Sequence, residues 1–191
     1  MRALPAAAVI LTALAIAACR PAHLRVKEYV YPAWGFKASF QTPPVIKDEP
    51  ASADGSTPHN FLAEAHTHNH DFAVTACDCF GHTDLDALSN DLGSRLATGM
   101  GGQMEGKTYV ATFEDLMGRE IQFNKDGKPY ATVRVFQAGG RSYQVLAVSN
   151  YGPSDPAVND FLYSFHAIDA KGAVTNDIAP AAQAGPSSPS P

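Results

Sequence analysis

Basic charge, cysteine and long apolar runs are all scarce in this chain of 191 residues. Its 14 Lys and Arg residues are outnumbered by 19 Asp and Glu residues, so we expect no basic surface for nucleic acid. No apolar run after residue 18 approaches the length of a transmembrane helix. These absences argue against nucleic-acid-binding proteins and proteins that span a bilayer through helices of the mature chain.

Familiar catalytic signatures are also missing. The sequence contains no GxSxG elbow, P-loop, dinucleotide fingerprint or HExxH zinc motif. Its CDCFGH stretch lacks the adjacent histidine of a CxxCH haem attachment site. We therefore expect a protein that is not an enzyme.

The N-terminus reads MRALPAAAVILTALAIAAC, in which Arg2 precedes a mostly apolar run over residues 4–16. A run this short is typical of a signal peptide. It ends in Ile16-Ala17-Ala18-Cys19, which resembles the lipobox of bacterial lipoproteins. We predict that residues 1–18 are removed and that Cys19 carries the lipid, which would tether the protein to a membrane. The alternative is an ordinary signal cleaved near Ala18, with Cys19 left as a thiol.

The remaining chain divides into three parts. Residues 19–27 are short enough to be a tether, and residues 28–169 are long enough for one domain with its own core. Residues 170–191 are rich in Ala, Pro and Ser and contain no aromatic residue, which predicts a disordered tail. After removal of residues 1–18, 13 basic residues face 19 acidic ones, a net charge of −6.

The domain alternates between strand and helix patterns. Strict alternation predicts a strand at 36–40, and Val45-Ile46 is a short strand candidate before a loop over 47–58. Two apolar runs around Asn69 predict a hairpin. Further strands are predicted in KTYVATFEDL, GREIQFN, PYATVRVFQA and SYQVLAVS, with the KDGK tetrad as a tight turn.

Two helices are predicted, one between the hairpin and the four later strands and one after those four strands. The first has Leu85, Leu88, Leu92 and Leu96 on one face, with Thr83 as its cap and Gly99 or Gly101 at its end. The second begins at Asp155-Pro156. Strands joined by short turns and covered by helices favour an α+β fold with an antiparallel sheet.

Four landmarks, GFKASFQTPP, LMGREIQF, RVFQAGGRSYQVLAV and NDFLYSFH, cover most of residues 34–166. In this order they resemble the PsbP-like fold group, and in particular small bacterial lipoproteins of that shape. The resemblance implies an antiparallel sheet flanked by helices, an α/β/α sandwich, and a binding or assembly role. Members include an extrinsic subunit of photosystem II and a nuclear-import factor that binds a small GTPase. No residue pattern here matches either functional surface, so neither role is transferred.

The run HTHNHDFAVTACDCFGH is the strongest candidate site. On an extended strand, His66, His68 and His70 could converge, and imidazole suits zinc and copper. In a hairpin centred on Asn69, His66 would lie opposite Phe72 or Ala73. The alternative is a solvated turn that happens to carry imidazoles.

Cys77, Cys79 and His82 form a second candidate group, because the cysteines would lie opposite residues near Asn60. At about 3.3 Å per residue, His68 and Cys79 would be some 30 Å apart and could not share an ion. Cys77 and Cys79 could form a strained disulfide, bind a soft metal with His82, or pack as buried thiols. A thiol–disulfide enzyme is a distant third function.

Two functions are favoured over this third one. The first is a non-catalytic, lipid-anchored protein of the bacterial cell envelope, facing the periplasm or the cell exterior, that binds a protein partner and needs no cofactor. The second is an envelope lipoprotein that binds copper or zinc through the two His/Cys groups.

Overall fold

The computed structural model describes residues 26–78, 84–113, 116–169 and 172. The predicted signal peptide, Cys19, most of the tether, Cys79, His82 and nearly all of the predicted tail lie outside these residues. Over the described ranges, no helix has the length and apolar character needed to cross a membrane.

The described residues form ten strands and two α-helices, with one short 3-10 helix at Pro32–Trp34. In chain order the elements are β1 Lys27–Tyr31, β2 Phe36–Phe40, β3 Val45–Glu49, β4 Asn60–His66, β5 His70–Cys77, α1 Leu85–Met100, β6 Gln103–Phe113, β7 Leu116–Lys125, β8 Lys128–Ala138, β9 Arg141–Ser149, α2 Pro156–Ser164 and β10 His166–Ala167.

The strands build two antiparallel sheets. Seven strands pair in the order β3-β4-β5-β9-β8-β7-β6, and three pair in the order β1-β2-β10. The predicted α+β class with antiparallel pairing is therefore confirmed. The sequence does not predict the second sheet, because β1 begins at Lys27, within the predicted tether, and β10 has only two residues. The predicted loop over 47–58 is wrong at its start, since β3 continues to Glu49.

Strand β8 separates two hydrophobic clusters, because successive side chains of a strand point to opposite faces. Val133 and Val135 belong to a cluster with Leu92 of α1, whereas Phe136 belongs to one with Phe161 of α2. Both clusters are deeply buried, so the central sheet contributes to a core on each of its faces.

Helix α1 confirms the predicted leucine face, with Leu92 buried and Leu85, Leu88 and Leu96 partly buried against the same cluster. Its cap is Asp84, whose carboxylate accepts from the Asp86 N–H at 3.1 Å; Thr83, the predicted cap, lies outside the described residues. Gly101 ends the helix with φ of 64°.

The packing of α1 on the sheet explains why a glycine, Gly93, occurs in the middle of this helix. A Cβ atom at this position would lie 2.6 Å from the Met104 sulfur of β6, closer than such contacts occur. The glycine therefore lets the helix approach the sheet, which offsets the lower helix propensity of glycine, about 1 kcal/mol relative to Ala.

Candidate functional site

The predicted hairpin forms between β4 and β5. The Thr67 N–H donates to the His70 carbonyl oxygen at 2.8 Å, so His68 and Asn69 are the two loop residues. His66 pairs with Asp71, and the interpretation that placed it opposite Phe72 or Ala73 is wrong by one or two residues. The turn is centred between His68 and Asn69, which shifts the register.

His66 and His70 lie on opposite faces of the sheet. Ala65 and Phe72 are paired and both buried in the cluster beneath α2, and His70 shares the face of Phe72, whereas His66 shares that of Asp71. His66 is 60% exposed, and its Nδ1 lies 2.8 Å from the Asp71 carboxylate. The expectation that the three histidines converge is therefore wrong for these two.

His70 is instead part of a buried link to the second helix. Its Nε2 lies 2.7 Å from Oδ2 of Asp155, and both side chains are only 11% exposed. Its Nδ1 lies 3.3 Å from the Thr67 hydroxyl, and its ring stacks on Phe72 at 5.5 Å between centroids. Both ring nitrogens have partners, which leaves neither open to an added ion.

Asp155 organises this link from the start of α2. Its Oδ1 accepts from the Ala157 N–H at 2.9 Å, which caps the helix as predicted, and its Oδ2 accepts from the Ser149 hydroxyl at 2.9 Å. Burial alone would raise the pKa of this carboxyl, but the bonds from His70, Ala157 and Ser149 hold the pKa below its usual value. The carboxylate therefore stays charged while largely buried.

Ser149, His70 and Asp155 are the residue types of a hydrolytic triad, but their order is wrong for one. The serine hydroxyl donates to the aspartate and accepts from the Tyr151 N–H at 3.1 Å. A nucleophilic serine would instead donate to the imidazole, with the aspartate on the other ring nitrogen. The group is built to join the hairpin tip to the helix.

Cys77 lies at the other end of β5. It pairs with Asn60, as the sequence predicted for the cysteines, and with Ser142 of β9. It lies seven positions after His70, about 23 Å along the strand. Cys77 is buried and takes part in a disulfide. Cys79 and His82 lie outside the described residues, so the Cys77–Cys79 pairing and the metal group with His82 stay predictions.

A polar and aromatic cluster that the sequence did not predict lies beside Cys77. The Arg141 guanidinium bonds to Asp78 at 2.5 Å and to the Ala33 carbonyl oxygen at 2.8 Å, and it lies 5.0 Å from the Trp34 ring. His59 contacts the edge of Trp34 at 4.5 Å. These residues are up to 108 positions apart in the chain, so no local motif could have revealed them.

Metal ligands are not grouped in the described structure. Among its residues, no set of three or more His, Cys, Asp and Glu side chains could hold an ion. His59 bonds to Asp48 at 2.7 Å, His66 to Asp71 and His70 to Asp155, so these three imidazoles each face a carboxylate.

Strand β3 is an exposed edge of the seven-stranded sheet. It is the outermost strand on its side among the described strands, and all five of its residues are exposed. Val45 is 58% and Ile46 is 44% exposed, although both are apolar. An exposed edge strand offers backbone donors and acceptors to another chain.

Comparison with known proteins supports the fold and goes no further. A solution structure of cyanobacterial PsbP, CyanoP from Synechocystis sp. PCC 6803, is similar with a TM-score of 0.51. The match covers 78% of this chain and 95% of that one at 12% sequence identity. No protein-family model and no curated protein matches the sequence. The predicted PsbP-like fold is thus confirmed.

Proposed function

We propose that this protein is a non-catalytic, lipid-anchored envelope protein that docks a partner by adding a strand to β3. The observation that carries the proposal is the five-residue edge strand, exposed at every position and bearing an adjacent apolar pair. Strand addition uses the backbone for affinity and alternate side chains for specificity.

The side chains of β3 specify what the added strand would carry. Val45 and Lys47 share one face of the sheet with Glu64 and Leu62, and the Lys47 ammonium is already paired with Glu64 at 2.7 Å. Glu49 at the end of the strand has no such basic partner among the described ion pairs. The apolar pair and the acidic end thus lie at opposite ends of one edge.

An antiparallel partner segment should therefore carry basic residues first and apolar residues next, opposite the acidic end and Val45-Ile46 in turn. The net charge of −6 that remains after removal of residues 1–18 favours such a partner. A second copy of the chain fits less well, because full antiparallel pairing of β3 with itself would place Lys47 opposite Lys47.

The proposed lipid anchor limits how far the hairpin end of the domain can lie from the bilayer. Lys27, the first residue of β1, pairs with Phe40, whose ring packs on Phe161 of α2 at 5.3 Å. Phe161 also stacks on Phe72, near the hairpin tip. If Cys19 is lipidated, residues 20–26 can span at most about 25 Å. The hairpin end would then lie within reach of the bilayer. The two core clusters support the α/β/α layering that the resemblance implied.

Peptide titration of the full chain in a nonionic detergent tests the docking proposal. The probe is an acetylated six-residue peptide with Lys and Arg in its first half and Val and Ile in its second. We expect saturable changes in the backbone amide NMR signals of β3 and β4 with a Kd of about 1 mM. Loss of these changes in Ile46→Lys but not in Val30→Lys, an exposed position of edge strand β1, would support it.

A response that is equal in both variants, or absent at about 5 mM peptide, would overturn the docking proposal. Association of the chain with itself in place of the peptide would assign the edge to a second copy. The anchor is tested separately by labelled palmitate, which should be incorporated by the natural chain and lost in Cys19→Ala.

Copper or zinc binding is the alternative function. Because His70 is engaged with Asp155, a site at the hairpin would have to use His66 and His68. Titration with Cu²⁺ and Zn²⁺ decides it: saturable binding below about 10 µM that is lost in the double variant His66→Ala/His68→Ala would favour a metal-binding role.

A further inference from the structure

A row of charged side chains crosses the seven-stranded sheet at the end opposite the β4–β5 turn. Its members come from four neighbouring strands, and they are Asp48 of β3, His59 just before β4, Asp78 just after β5 and Arg141 of β9. Nε2 of His59 lies 2.7 Å from Oδ1 of Asp48, and its Nδ1 lies 3.8 Å from Oδ2 of Asp78. Asp78 in turn bonds to the Arg141 guanidinium. The imidazole is therefore held between two carboxylates from the strands on either side of β4.

His59 is the member of this row whose charge can change near neutral pH. Histidine changes its charge between about pH 5 and 8, whereas carboxylates and guanidinium groups keep theirs over that range. The His59 side chain is 36% exposed, so it can exchange protons with water. With a neutral imidazole the row carries two negative charges and one positive charge, a net charge of −1. With a charged imidazole the signs alternate and the net charge is zero.

Protonation also changes the contact between His59 and Asp78. A neutral His59 that donates from Nε2 to Asp48 presents Nδ1 to Asp78 as an acceptor, so two acceptors face each other. A second proton turns Nδ1 into a donor toward that carboxylate. The charged imidazole is then attracted to carboxylates on both of its sides.

The other charged groups near the row are paired or lie on the opposite face of β3. Arg141 faces His59 only across Asp78, to which it is bonded. Lys47 and Glu49 alternate with Asp48 along β3, so their side chains point to the other face, where the Lys47 ammonium pairs with Glu64. The two carboxylates are therefore the groups that act most directly on the imidazole.

Asp48 connects this row to the docking edge. It lies at the acidic end of β3, opposite the basic half of the proposed partner segment, and its side chain is 55% exposed. Beside a neutral His59 it retains a full negative charge for a basic partner residue. A charged His59 neutralises it and repels the same residue. We propose that His59 makes docking at β3 pH dependent, with a basic partner bound more weakly when the imidazole is charged. This inference rests on the proposed docking function.

The test repeats the peptide titration of the docking proposal at about pH 7.5 and about pH 5.5, on the full chain in a nonionic detergent. The Lys and Arg residues of the peptide stay charged over this range, so only the protein changes. We expect the Kd to rise about three-fold at the lower pH in the natural chain. His59→Gln, which keeps an N–H donor for Asp48 but cannot titrate, should show no such rise. His166→Gln in β10 of the other sheet should show the full rise.

The possible outcomes separate this inference from the docking proposal. A rise in Kd that persists in His59→Gln, or equal Kd values at the two pH values in the natural chain, would overturn the inference and leave the docking proposal standing. Failure of the peptide to bind at either pH would overturn both.

Trp34 provides a second measurement that needs no peptide. It is the single tryptophan of the chain, and its ring meets that of His59 edge-on at 4.5 Å between centroids. A charged imidazole quenches an adjacent indole more strongly than a neutral one. We expect the fluorescence to fall between about pH 7.5 and about pH 5.5 in the natural chain and to stay constant in His59→Gln. Constant fluorescence in the natural chain would mean that His59 does not become charged there, which would also overturn the inference.

Discussion

At one end of β5, His70 bonds to a buried carboxylate of α2, while at the other end Asp78 follows Cys77 and bonds to the guanidinium of Arg141. The side chains of His70 and Asp155 are each 11% exposed, whereas the Asp78 side chain is 39% exposed. Because screening by water weakens exposed charge pairs, the hairpin end should be held more strongly than the cysteine end.

The two ends also differ in what their central group does. Asp155 receives three donors from three parts of the chain and caps a helix at the same time. Arg141 bonds to a backbone carbonyl and stacks over Trp34, so its contribution is shared between hydrogen bonding and packing. Removal of the first group leaves buried donors unsatisfied, whereas removal of the second exposes an aromatic surface.

Replacing Asp155, at the hairpin end of β5, should have the largest effect on the free energy of unfolding. Asp155→Ala removes a helix cap, worth about 1 kcal/mol, and leaves the buried side chains of His70 and Ser149 without their acceptor. We expect the free energy of unfolding to fall by about 3 kcal/mol in urea denaturation. Asp71→Ala, which removes the exposed carboxylate beside His66, should cost less than about 1 kcal/mol. Equal losses in the two variants would contradict the buried link.

Replacing Arg141 should have a smaller effect at the other end. Arg141→Ala loses the bonds to Asp78 and to the Ala33 carbonyl oxygen and the stacking over Trp34, which predicts a loss of about 1–2 kcal/mol in unfolding free energy. Arg141→Lys should recover only part of this, because an ammonium lacks the planar fork. Trp34 fluorescence should change in both variants. A full recovery by lysine would show that charge alone matters here.

The same two ends show how far the sequence could predict the structure. The α1 leucines, the Asp155-Pro156 start of α2 and the existence of the β4–β5 hairpin follow from local periodicity and turn chemistry, and the structure confirms all three, although the predicted hairpin register was wrong by one or two residues. The link from His70 to Asp155 joins residues 85 positions apart. No periodicity encodes such a pair, and the run of alternating histidines suggested a shared metal instead.

Strand β1 and the length of β3 were missed for a related reason. The sequence KEYVY begins in the segment assigned to the tether, and the charged end of VIKDE resembled a loop. All five side chains of β3 and most of those of β1 are exposed, so polar residues are tolerated there and the usual apolar signal of a buried strand is absent. The proposed docking edge is therefore the part of the sheet that pattern analysis was least able to detect.

The smallest expected effect is on the pH dependence of stability in acid, and it should distinguish the two ends of β5 selectively. Because hydrogen bonds hold the pKa of Asp155 below its usual value, its contribution to stability is complete above the unfolded pKa of about 3.9 and is lost as pH falls through the folded pKa. The guanidinium of Arg141 stays charged over this range. Asp155→Asn should therefore flatten the fall in unfolding free energy below about pH 4, while Arg141→Ala should lower stability without removing that part of the pH dependence. An unchanged acid slope in Asp155→Asn would contradict the prediction, because it would mean that the bonds from His70, Ser149 and Ala157 do not lower the pKa of Asp155 in the folded protein.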